Sequence, residues 1–209
     1  SCGTFPDSSA NAEVVATHIR IVSDTQFVND LDINAGASVV VSANATLIIK
    51  GNLTISNTGS LICNSGSNVI FRGDEGTIQL VNNSSGSNQA FANVQITNPD
   101  NVLFFGGLFS ISEGLHLIDG SFQNSSGLTF TSDASSQGHV ARVIAGDFTG
   151  SSSSFTIERF KAGGASGWND LATAGIATTI ADIENEIYIS GVTGAGGNAG
   201  GGAGGASWK

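Results

Sequence analysis

Two carboxylates on one face of a strand can grip a cation or divide general-acid and general-base roles between them. The acidic candidates are Asp30 with Asp32, Asp74 with Glu75, and Glu158. Asp30 and Asp32 point to the same side of a strand. They could hold calcium weakly, against the plainer reading of two solvated carboxylates. Asp74 and Glu75 sit in a Gly-Asp-Glu-Gly turn and read as a polar corner. Glu158 and Arg159 are adjacent, so on a strand they face opposite sides. One of them is expected to pair with Arg142 or Asp147 on a neighbouring strand.

Other catalytic constellations are harder to assemble. His18, His116 and His139 are scattered, without the His-x-x-x-His or Cys-His spacing of a zinc site. His116, between Leu115 and Leu117, reads as an outward strand residue. No Gly-x-Ser-x-Gly nucleophile elbow is present. The expectation is therefore a non-enzyme, with no catalytic residue, metal ligand or cofactor assigned. Cys2 and Cys63 are the two cysteines. In a secreted chain the pair is a candidate disulfide, while the alternative for Cys63 is a small buried hydrophobe. Asn-x-Ser/Thr triplets at Asn44, Asn52, Asn83 and Asn124 would be glycan acceptors only in a eukaryotic secreted protein.

The elements that position these residues follow from composition and spacing. The 209 residues carry a net charge of −10 with seven Lys plus Arg. That charge argues against nucleic acid and against anionic membranes as partners. Only 11% of residues are charged, so solubility rests on Gly, Ser, Asn and Thr, a balance common in extracellular β-rich proteins. The apolar runs are too short to span a bilayer as a helix, and a soluble chain is expected. Methionine is absent, which suggests a processed form or an excised fragment.

Glycines at 36, 51, 59, 66 and 73, and again at 107, 114, 120 and 127, punctuate short apolar segments six to eight residues apart. Leu53-Thr54-Ile55 and Leu61-Ile62-Cys63 alternate with period two, the mark of a strand with one buried face. Corners of single small residues favour a coil with three sides over a sandwich. Three sides give a rung of about 20 to 24 residues. Ser38, Thr54, Asn57, Ser60, Asn64 and Ser67 are expected to face outward, and Asn64 and Asn68 to stack as amide ladders.

The domain reading is an N-terminal segment or cap at 1–22, a β-solenoid at 23–162, an irregular capping or linking segment at 163–190 and a Gly-rich flexible tail at 191–209. Within the solenoid, 82–90 ("NNSSGSNQA") is expected to be an extended polar loop. Glu13 to Val22 and the region from Trp168 could cap the two ends, or those ends could pair with the next subunit. Glu158, Arg159, Trp168 and Trp208 are the candidate interaction or capping residues.

Phe91 to Asp133 ("FANVQITNPDNVLFFGGLFSISEGLHLIDGSFQNSSGLTFTSD") resembles the repetitive surface proteins of the Bacteroidota, many of them cargo of the type-nine secretion system. Ala141-Arg142-Val143, Thr156-Ile157-Glu158-Arg159-Phe160 and Gly167-Trp168 are similar to the segment that closes such β-helical regions. After Arg159 the chain departs from the pattern, with Phe160-Lys161-Ala162-Gly163 in place of an Ile-Pro-Ala-like turn. No C-terminal sorting domain is visible.

The resemblance implies an extracellular, right-handed parallel β-helix acting as a cell-surface adhesin or filament component. Its expected partners are further copies or domains of the same chain, or surface glycans. A carbohydrate-binding module, with Trp168, Trp208 or Tyr188 as aromatic platforms, and a polysaccharide lyase-like β-helix enzyme are the alternatives.

Overall fold

The computed structural model describes residues 9–150 and 155–158. Among them the chain is all β, without a helix, and its strands stack in parallel as a β-solenoid of about six turns. The parallel β-helix expected from the repeat is thus the fold.

Each coil contributes one strand to each of three faces. The first face begins with β1 (Ala12–Val14), β4 (Leu31–Ile33), β7 (Leu53–Ser56) and β10 (Gln79–Ser84). The second begins with β2 (Ile19–Val22), β5 (Ser38–Val41) and β8 (Ser60–Cys63), and the third with β3 (Thr25–Val28), β6 (Thr46–Ile49) and β9 (Asn68–Phe71). Higher up, single strands run through more than one face. β11 (Gln89–Phe105) and β12 (Phe109–Asn124) each cover all three. Along its length β11 pairs with β12, β9 and β10, with register shifts at the bends. β13 (Leu128–Phe130), β14 (His139–Gly150) and β15 (Phe155–Ile157) complete the described stack.

Rung length varies more than the repeat suggests. Ala12 pairs with Leu31 and Leu31 with Leu53, offsets of 19 and 22 residues. Leu53 pairs with Val81, an offset of 28. The six extra residues all fall between β9 and Val81, in the 72–78 corner loop and the first two residues of β10.

Inward positions line up along the axis. Leu31, Leu53, Val81 and Phe104 form one fully buried ladder, and Leu47, Val69 and Val94 another. Each such side chain contributes about 1.5–3 kcal/mol by leaving water. From Phe71 upward rings join the aliphatic side chains in the interior: Phe104 lies with ring centroids 4.8 Å from Phe109, 4.9 Å from Phe122 and 5.4 Å from Phe71.

The N-terminal segment is itself a coil. β1 and β2 pair in parallel with β4 and β5, so solenoid pairing begins at Ala12, ahead of the boundary expected at 23. The stretch 82–90 is no extended loop: Asn82–Ser84 belong to β10 and Gln89 and Ala90 to β11. Ser67 faces inward and is fully buried, contrary to its expected outward placement. The segments 163–190 and 191–209 lie outside the described residues.

Candidate functional site

Of the acidic side chains that were the chemical candidates, Asp30 and Glu158 accept hydrogen bonds from a neighbouring coil. Along the edge that precedes the first face, each side-chain oxygen accepts a backbone N–H from the coil above. Asn11 Oδ1 accepts the N–H of Asp30 at 3.3 Å, Asp30 Oδ1 that of Asn52 at 2.7 Å, and Asn52 Oδ1 that of Leu80 at 2.9 Å. This ladder supplies acceptors at and just before the first residues of the strands. Asp30 is therefore a link in the stack, while Asp32 is an exposed residue of β4. Among the described residues no group of three His, Cys, Asp or Glu side chains could hold a metal ion.

Glu113, which sequence reasoning missed, joins three successive coils. Its Oε1 accepts the Ser65 hydroxyl and the Gly66 N–H, both at 2.8 Å, and its Oε2 accepts Asn93 Nδ2 at 2.6 Å. Burial alone would raise its pKa, but the donors from Gly66, Ser65 and Asn93 outweigh it and hold the carboxyl below its usual range. Its partners lie 20, 47 and 48 residues away, so no local motif could have announced it.

Two corners are filled by buried polar groups. In the first, Asn83 donates to the carbonyls of Ser87 and Leu108, both at 2.9 Å, and accepts from the Ser85 N–H and hydroxyl. Gln89 donates to Ser85 Oγ, and its Oε1 accepts the N–H of Leu61 at 2.9 Å. That contact bridges β8 to the coil above by a side chain. Asn124 repeats the device: it donates to the Ser126 carbonyl and accepts the Ser126 N–H. Asn83 and Asn124 are 1% and 2% exposed, which removes both as glycan acceptors. In the second corner, buried Asn98 donates to the Thr77 carbonyl, and Gln79 to those of Ile49 and Gly51. Asp100 accepts the N–H groups of Gly76 and Thr77. The 72–78 loop is thereby tied down at its C-terminal half.

The other expected residues are placed as follows. Glu158 Oε2 accepts the Ser132 N–H at 3.3 Å. Arg159, Trp168, Tyr188 and Trp208 lie outside the described residues. Cys63 is a free thiol at an inward position stacked on Val41, and burial pushes its pKa up to about 12. Cys2 lies outside the described residues. Ser67 Oγ has no conventional hydrogen-bond partner and faces the Cys63 thiol. Asn68 stacks on Asn93 in register, but their amides turn to Gly66, Ser67 and Glu113 instead of to each other. An amide contact between coils does occur lower down, from Asn29 Nδ2 to Asn11 Oδ1 at 2.8 Å.

His116 projects outward beside Arg142. Desolvation first, then the nearby His139 and Arg142, lower its pKa. Asp74 is exposed and makes a single 3.5 Å ion pair with Lys50.

At the N-terminal end of the stack, two inward positions of the first coil are polar. Arg20 shares its register with Val39 and Leu61, and Gln26 with Leu47 and Val69.

These features define a parallel β-solenoid whose polar side chains mainly serve its own stacking. No known protein family, curated protein or solved structure matches the chain.

Proposed function

We propose that the protein is a non-catalytic extracellular structural protein, a cell-surface adhesin or filament component that uses the solenoid as a rigid display rod. The observation that carries this reading is the use of carboxylates. Asp30, Asp100, Glu113 and Glu158 accept hydrogen bonds that tie coil to coil or loop to coil. Six coils at about 4.8 Å each rise roughly 29 Å, and every rung adds outward surface without altering the core. The low charge content and the Ser, Thr and Asn faces support exposure to the extracellular medium.

The test is protease shaving of intact cells that make the protein, followed by electron microscopy of the purified chain over a wide concentration range. Release by protease with discrete particles at all concentrations is the expected result. Filaments growing with concentration would assign the filament branch. Complete retention inside shaved cells would overturn the surface reading.

A further inference from the structure

The longest corner departure below the aromatic coils is the 72–78 loop, and its opening residues are Arg72-Gly73-Asp74. We propose that this loop is a ligand for a cation-dependent cell-adhesion receptor that reads Arg-Gly-Asp peptides. Such a receptor holds the Asp carboxylate on a divalent cation and the guanidinium on its own carboxylates. The proposal rests on the adhesin reading and names its partner class.

Four observations carry it. First, the loop is an addition to the coil: the Leu53-to-Val81 rung is 28 residues against 22 for the rung below. Second, both charged groups are available. Asp74 is 80% exposed, with one surface contact to Lys50, of the kind that contributes little and is exchanged easily. Arg72 is exposed and forms no ion pair among the described residues.

Third, the loop is held at both ends, so presenting it to a receptor costs little ordering entropy. The Arg72 N–H donates to the Ile49 carbonyl at 2.9 Å, continuing the ladder of β9. Asp100 accepts from Gly76 and Thr77 at the other end. Fourth, the middle residue has to be glycine. A Cβ at position 73 would collide with the Asn98 amide, which is itself fully buried and fixed by hydrogen bonds. The contact presses the tripeptide against the coil at Gly73 and leaves its two flanking residues exposed.

The plainer account is a charged corner in which Asp74 offsets Lys50 and Arg72. The two accounts differ over Asp74→Glu. That change keeps the charge and the reach to Lys50, but lengthens the carboxylate arm that a receptor cation would have to accept.

The experiment uses the full chain to displace a fluorescent cyclic Arg-Gly-Asp peptide from a purified receptor of this class in Mg²⁺ or Mn²⁺. Wild-type protein is expected to displace the probe, and excess EDTA to abolish binding. Asp74→Glu should weaken displacement at least tenfold with unchanged circular dichroism. Asp100→Ala, a positioning change, should weaken it severalfold by loosening the loop. No displacement by the folded wild-type chain, or equal displacement by Asp74→Glu, would overturn the proposal. Neither result bears on protease shaving or particle shape, so the adhesin reading stands or falls separately.

Discussion

The lower three coils and the upper three solve one problem with different materials. Below, strands of three or four residues meet at short corners, several of them turned by one left-handed residue, and the interior is mainly Val, Leu and Ile. Asn44, with φ of 62°, and Gly66, with φ of 76°, occupy stacked corners of this kind. Above, β11 and β12 bend through whole rungs, a cluster of Phe rings joins the aliphatic side chains in the interior, and buried Asn and Gln side chains satisfy the corners. The contrast shows that a parallel ladder specifies pairing but not filling. The lower coils depend on many equivalent small contacts, and the upper coils on a few large ones.

The largest expected effect follows from that contrast. Phe104 touches four other rings, Phe71, Phe91, Phe109 and Phe122. Phe104→Ala should cost about 3–5 kcal/mol and unfold the upper coils first. Ile55→Val, in the aliphatic ladder, should cost about 0.5–1.5 kcal/mol. Urea unfolding followed by circular dichroism compares the two. A loss from Phe104→Ala no larger than that from Ile55→Val would mean that the ring cluster does not carry the upper interior.

Backbone tightness gives the next effect. Gly120 has φ of 74°, and a Cβ there would run into the carbonyl oxygens of Asn98 and Asp100 in the coil below. Gly120→Ala therefore combines left-handed strain with a backbone clash. It should cost on the order of 1–3 kcal/mol, read as a lower urea midpoint.

Legibility divides along the same line. The segments Val39–Val41, Thr46–Ile49, Leu53–Ile55, Leu61–Cys63 and Val69–Phe71 stood out because glycine or asparagine breaks each from the next, and all five are strands. In the upper coils the breaks weaken. Leu108–Ile111, Leu115–Leu117 and Ser121–Phe122 read as separate segments, yet they lie largely within the single strand β12. The polar run at 82–90 misled because Asn83, Ser85 and Gln89 satisfy one another inside the corner, an arrangement that composition cannot reveal. Pairing Asp30 with Asp32 failed to foresee a ladder whose next acceptor lies 22 residues on.

Glu113 offers a smaller effect with a pH signature. Its folded pKa is depressed, so the ionised carboxylate contributes stability that is fully present above its unfolded value. That contribution is lost as pH falls through the folded value. Because the side chain is partly exposed, Glu113→Gln should cost only about 1 kcal/mol at neutral pH. The wild-type advantage should shrink on acidification below about pH 4.5, measured as the difference in urea midpoints. A constant difference down to the acid limit would remove Glu113 as an ionic staple.

The smallest thermodynamic effect, and the finest probe of the boundary between halves, is the Cys63 thiol. It lies in the third coil, just below the aromatic interior, and its pKa of about 12 leaves almost no thiolate at neutral pH. Iodoacetamide should therefore modify the native thiol far more slowly than an unfolded-chain thiol at pH 8. Destabilising the upper coils with Phe104→Ala should leave that rate unchanged if the halves open separately. If the solenoid opens as one cooperative unit, the same substitution should raise the rate in proportion to the lost stability. Alkylation of the variant under native conditions thus decides whether a difference in filling is also a difference in cooperativity.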